Sequence, residues 1–170
     1  KITYFSSCAT GAIDSPYYRH KQAMEKLVES SAERFLIARL PQVVGVTKNS
    51  TLVSYIAAHV KNSNPITVFK GARRNLIDVD DVVRLTLQLA QLENMAINVT
   101  NTNMVLVEDI VSMVSEILGK PALILAGLPE PTVQSYDGRP LKKLLGAGDP
   151  IYSNRYNMDI LSKYVPLLSD

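Results

Sequence analysis

Apolar residues are grouped along the chain in two rhythms, and the alternation between them predicts most of the elements. Ile2 to Phe5 is a short strand-like run that ends in the small polar cluster Ser6, Ser7 and Cys8. Gly11 and Asp14-Ser15-Pro16 then predict a turn. Ser15 is a favourable N-cap, and Pro16 stands at the first helical position, where a missing N–H costs nothing. The following helix is expected to run to about Ser31, with Ala23, Met24, Leu27 and Val28 as its apolar stripe. FLIARLPQVVG, residues 35–45, reads as a buried strand ending at Pro41. Strand, helix, strand in the first 45 residues is the signature of a right-handed βαβ unit in a parallel sheet.

Farther on, Leu52 to Val60 predicts a helix, Ile66 to Phe69 a strand, and Leu76 to Val79 a short strand. A helix from Asp80 or Asp81 to Leu92 follows, and the two carboxylates are read as structural, complementing its dipole and capping it. Ala96 to Thr100 is strand-like, and Val107 to Leu118 is a helix stopped by Gly119. Ala122 to Leu128 is a further strand, and the proline- and glycine-rich stretch 129–150 is a loop with a short helix around Leu141 to Leu145. Asn157 to Tyr164 closes the chain as a helix. The expected fold class is therefore α/β, a Rossmann-type parallel sheet.

Composition narrows the function. With 170 residues the chain can bury one substantial core. Its net charge of +2 is no footprint for a polyanion, so no nucleic-acid partner is expected. The dense basic cluster Lys70, Arg73 and Arg74 suits one phosphorylated small molecule instead. One cysteine and two histidines, His20 and His59, leave no internal disulfide and no convincing metal centre. Asn98-Val99-Thr100 matches a glycosylation sequon but lies in an apolar stretch. No apolar run approaches the ~20 residues of a membrane span, and a cytoplasmic location is expected. The chain opens at a lysine and drops at once into an apolar run, which suggests the later part of a longer protein.

The most informative segment is SPYYRHKQAMEKLV, residues 15–28. Tyr17 and Lys21 are four apart and share a helical face. A phenol normally titrates near ~10, and an adjacent ammonium favours the phenolate, which makes a tyrosine usable as an acid or base. The bare Tyr-x-x-x-Lys spacing is common on solvated helices. What sharpens it here is the hydroxyl-rich strand end upstream and the Ser-Pro helix start.

With FSSCAT at 5–10, SPYYRHK at 15–21, RLPQVVG at 39–45 and RNLIDVDD at 74–81, the chain resembles the extended short-chain dehydrogenase/reductases, the NAD-dependent epimerase/dehydratase family acting on nucleotide sugars. AINVT at 96–100 and VEDIVSMVSEILGK at 107–120 resemble its late strand and helix. The resemblance implies Tyr17 as catalytic acid/base, with Lys21 on the nicotinamide ribose of NAD or NADP and tuning Tyr17. It implies that Arg74 grips the substrate diphosphate, with Gln42, in place of the usual asparagine, also contacting substrate. Cys8 occupies by register the place of the hydroxyl that polarises the carbonyl, where a thiol is a weak donor and a buried, inert cysteine is the blander reading. Ser7 is the nearest substitute.

The short gap between Cys8 and Tyr17 resembles reductases of keto-sugar nucleotides. No glycine-rich Gly-x-x-Gly-x-x-Gly turn follows the first strand, and Gly146-Ala147-Gly148 lies too late to serve. The expectation is therefore an incomplete fold: the C-terminal catalytic half, lacking the N-terminal cofactor-binding half. Residues 1–45 would form the catalytic βαβ part. Residues 46–170 would supply the remaining core and a small substrate-binding lobe drawn from 45–74 and from 122 onward. The resemblance also implies a homodimer. A non-catalytic nucleotide-sugar-binding relative is the alternative.

Overall fold

The computed structural model describes residues 1–130 and 136–168; part of the predicted 129–150 loop lies outside them. The opening βαβ unit forms as its sequence predicts. β1 (Ile2–Ser7) and β2 (Phe35–Leu40) pair in parallel from Ile2↔Phe35 to Ser7↔Leu40, connected by α1 (Pro16–Ser31). Ser15 is the N-cap of α1 and accepts the Tyr18 N–H, with Pro16 in the first turn. Pro41 has no N–H to give to a ladder, and there the predicted single strand divides. β3 (Gln42–Val44) continues beyond it and pairs instead with β6 (Leu76–Asp78).

Between β3 and β6 run α2 (Leu52–Lys61), β4 (Pro65–Lys70) and β5 (Arg73–Arg74). Thr51 and Ser54 close a reciprocal capping box at the start of α2. After β6 come α3 (Val79–Leu89), β7 (Met95–Asn98), β8 (Val105–Leu106) and α4 (Val107–Leu118). β9 (Leu123–Pro129), α5 (Arg139–Leu145) and α6 (Tyr156–Tyr164) follow. β7 joins the far side of β2 in parallel, so the main sheet has the order β1-β2-β7. β4 pairs in parallel with β9, and β5 pairs antiparallel with β8. Gly119 ends α4 in the left-handed conformation, φ 62°, which its lack of a Cβ makes inexpensive.

The core lies where α2, α4 and α6 meet the strands. Ile56, Leu76, Ile77, Leu85, Ile110 and Leu161 are fully buried in it. Two local expectations change. The N-cap of α3 is Asp78, whose carboxylate accepts the Asp80 N–H, rather than Asp80 or Asp81. Asp80 pairs with Lys163, and the half-buried Asp81 accepts from Arg84 and from the buried Tyr156 hydroxyl. On α1, the inward positions are Glu25 and Val28, while Leu27 of the predicted stripe is exposed.

Candidate active site

Parallel α/β sheets bind ligands beyond the carboxyl ends of their strands, where loops diverge. The carboxyl ends of β1 and β2 open here onto a cleft of about 240 Å³. Its lining includes Ser7 from the end of β1, Tyr18 from the first turn of α1, and Gln42 just past Pro41. Arg74 and Asn75 enter from β5 and the start of β6, and Tyr136 from the segment before α5. Gln42 is fixed by its own N–H, which donates to the Asn75 carbonyl at 3.0 Å. Of the residues singled out in sequence, the structure thus brings Ser7, Gln42 and Arg74 to one cleft.

Strand alternation decides between Ser7 and Cys8. Ser6 and Cys8 turn to the buried face, and Ser7 to the cleft. The Cys8 thiol donates to the Arg39 carbonyl at 3.1 Å, and burial pushes it up to about 12. It is held as a neutral packing group, away from the cleft wall that register alone assigns to it. The Ser7 hydroxyl accepts the Ala9 N–H at 3.2 Å.

Tyr17 and Lys21 stand beside this cleft rather than in its wall. Tyr17 is 59% exposed, and its ring meets that of Tyr18 edge-on at 5.1 Å. The Lys21 ammonium lies 5.7 Å from the Tyr17 ring centroid and donates to the Phe5 carbonyl at 2.8 Å. That hydrogen bond ties the first turns of α1 to β1. Deeper on the same helix, Arg39 of β2 grips Glu25 through two nitrogens, the shorter contact being 2.6 Å. Burial pushes the Glu25 carboxyl up, but Arg39 and the Ser6 hydroxyl outweigh it and hold it below the usual range.

Three cleft features had no clear signal in the sequence. Arg74 donates to Glu130 at 2.7 Å, a partner 56 positions away at the end of β9. Burial pushes the Tyr136 phenol up to about 12, beside Arg74 and Glu130. Asn75 donates to the carbonyl and side-chain oxygens of Asn101, while its own Oδ1, buried, has no hydrogen-bond partner among the described residues. The position of Asn75 next to Arg74 in RNLIDVDD was the one available hint. Among the described residues no group of acidic, histidine or cysteine side chains could hold a metal ion. No helix there is long and apolar enough to cross a membrane.

The model of the NAD dependent epimerase/dehydratase family matches residues 5–100, more than half of the chain. No curated protein matches. Among solved structures, the chain is similar to the UDP-glucose 4-epimerase of Thermus thermophilus complexed with NAD, at 18% identity and TM-score 0.74 over 96% of this chain and 63% of that one. A UDP-glucuronic acid 4-epimerase mutant from Bacillus cereus, in complex with a fluorinated UDP-sugar and NAD, gives 21% and 0.76 over 98% and 62%. A dTDP-glucose 4,6-dehydratase from Bacillus anthracis with NAD gives 12% and 0.79 over 98% and 60%. At such identities the likeness concerns the fold, and the chain spans about 60–63% of the length of these structures.

These matches correct the expectation of a C-terminal catalytic half without the cofactor-binding half and its glycine-rich loop. The match to the family model takes in residues 5–100, and the fold of NAD-complexed structures covers nearly the whole chain. The parallel β1-β2-β7 sheet is part of this shared Rossmann-type fold. With the parallel βαβ unit, the cleft at its strand ends and the family match in agreement, the chain belongs to the NAD dependent epimerase/dehydratase family.

Proposed function

We propose that the chain acts in an NAD(P)-dependent oxidoreductase or epimerase-type enzyme whose substrate is a nucleotide sugar, reduction of a keto sugar among the reactions it suits. The observation that carries this reading is the juxtaposition of the Tyr17–Lys21 pair on α1 with a polar cleft holding Arg74 and Gln42. The residues fit a dinucleotide's nicotinamide ribose in donor chemistry: an exposed phenol and an ammonium on one helical face. When bound, nicotinamide supplies or accepts a hydride. Tyr17 holds the proton that leaves or reaches the substrate oxygen, and Lys21 stabilises the phenolate between those events. Ser7 donates to the same oxygen and polarises it. Arg74 pairs with the diphosphate, as a planar guanidinium does well, and the Gln42 amide orients the sugar. Residues 45–74 and those from 122 onward supply the substrate lobe, a reading supported by the β4–β9 pairing. We also place the protein in the cytoplasm as a homodimer joined through α1, whose exposed Leu27 suits a partner.

NAD(P)H absorbance against UDP- and dTDP-sugars tests this reading. Tyr17→Phe is expected to lower turnover by roughly 10²–10⁴-fold with KM little changed. Arg74→Ala is expected to raise KM most. Full turnover in Tyr17→Phe would overturn the reading. Retained sugar-nucleotide binding with no turnover in the unaltered protein would favour a non-catalytic binder.

A further inference from the structure

The Arg74 guanidinium does not look into open space. Its Nη1 donates to Glu130 Oε1 at 2.7 Å, and the two side chains are only 22% and 10% exposed. Glu130 is held there by backbone. Its N–H donates to the Lys70 carbonyl at 3.2 Å, next to the register shift between Val68 and Lys70 in the β4–β9 ladder. Such irregularities re-aim the side chains beside them. Gly127 lets β9 lie close to β4 at this point, since a Cβ there would come within 3.0 Å of the Val68 carbonyl. The neighbouring cation is engaged elsewhere, with Arg73 donating to the Met104 carbonyl. With Arg74 held by Glu130 and Tyr136 in its wall, the cleft of about 240 Å³ is below the ~300–1,000 Å³ usual for small-molecule sites.

We propose that Glu130 is an internal competitor for Arg74: a carboxylate that occupies the guanidinium while the cleft is free and that the diphosphate of the ligand displaces. The proposal rests on the reading of Arg74 as the diphosphate anchor. A guanidinium forked onto a diphosphate gains more charge and more oxygens than it has from one carboxylate oxygen, so the exchange runs toward the ligand. The energetic consequence is a lowered apparent affinity for every anion by one common factor, set by the fraction of molecules in which Arg74 is released. Weakly held anions such as inorganic phosphate are thereby kept off at concentrations where a tight ligand still binds.

Calorimetric titration with UDP and with dTDP tests the competitor. Glu130→Gln keeps size and a hydrogen-bond acceptor but removes the charge, and is expected to tighten binding of whichever diphosphate the protein takes by roughly tenfold. The same change made in Arg74→Ala is expected to give no gain, because the coupling runs through that pair. Glu130→Asp, which keeps the charge but shortens the arm, should shift affinity in the same direction by less, and serves if the glutamine variant fails to fold. Unchanged or weaker binding in a folded Glu130 variant, with binding still lost in Arg74→Ala, would overturn the competitor and leave the anchor standing. Equal binding by Arg74→Ala and the unaltered protein, or no diphosphate binding by any of them, would overturn the anchor and the competitor together.

Discussion

Helices α1 and α4 each follow a strand end and each pack on the fold, yet they are held in opposite ways. α4 buries Val107, Ile110, Val111 and Val114, three of them completely, against α2 and α6. α1 is longer, at 16 residues, and buries only Glu25 and Val28. Its anchorage is polar: the Glu25–Arg39 pair, the Lys21 bond to Phe5, and the Ser15 cap. The hydrophobic effect secures α4, whereas α1 depends on directional contacts that fix orientation and leave its Tyr17 face open. The polar arrangement leaves the Tyr17 face of α1 open, and the apolar one holds the core together.

Substitutions can break this contrast, in order of size. Ile110→Ala, at a fully buried site on α4, is expected to cost about 2–5 kcal/mol in denaturant unfolding. Arg39→Met leaves the Glu25 carboxylate, 6% exposed, without its ion-pair partner. That costs about 3 kcal/mol, the lower end for an orphaned buried charge because Arg39 itself is partly solvated. Hydrogen exchange should then quicken across α1 and not across α4. A loss spread evenly over both helices would deny that α1 has separate anchorage.

The third test lies on α3. Arg84 of α3 joins Asp149 at 2.8 Å and so ties the chain ahead of α6 to the core. Asp149→Asn should cost about 1.5–3 kcal/mol, the range for hydrogen bonds to charged groups. The Arg84 guanidinium holds the Asp149 carboxyl below the usual carboxylate range, against burial. A depressed folded value means that the pair's contribution is complete above the unfolded value near ~3.9 and is lost as pH falls through the folded one. Thermal unfolding of the two proteins should therefore differ at neutral pH and converge in acid; a gap that persists in acid would refute the pairing. Smallest of all, Leu87→Ala on the exposed face of α3 should lie within about 0.5 kcal/mol of the unaltered protein by melting.

Local chemistry in the sequence was enough for much of this architecture. Ser15-Pro16 marks the start of α1 and Gly119 the end of α4 because caps and stops depend on residues within one turn. The parallel pairing of β1 with β2 follows from strand-helix-strand order. What escaped was set at a distance. Leu27 looked inward because periodicity cannot foresee that Glu25 takes the inner position with a partner on β2. Asp78 rather than Asp80 caps α3 since any carboxylate in IDVDD could do so, and only the strand end chooses among them. Ser7 lines the cleft and Cys8 packs inward, as the reading of a buried cysteine has it, because alternation along β1 separates neighbours. Glu130 and Tyr136 reach Arg74 from a proline- and glycine-rich stretch with no periodicity to follow.

On the proposed reading, the open face of α1 and the Arg74 cleft act as one site. Hydrogen exchange with and without NAD and UDP-glucose tests it most directly. Added ligands are expected to slow exchange together in the first turns of α1, around Tyr17 and Lys21, and in the strands that carry Gln42 and Arg74. Protection of only one of these regions, or protection confined to the shallow surface around Thr47 and His59, would contradict it.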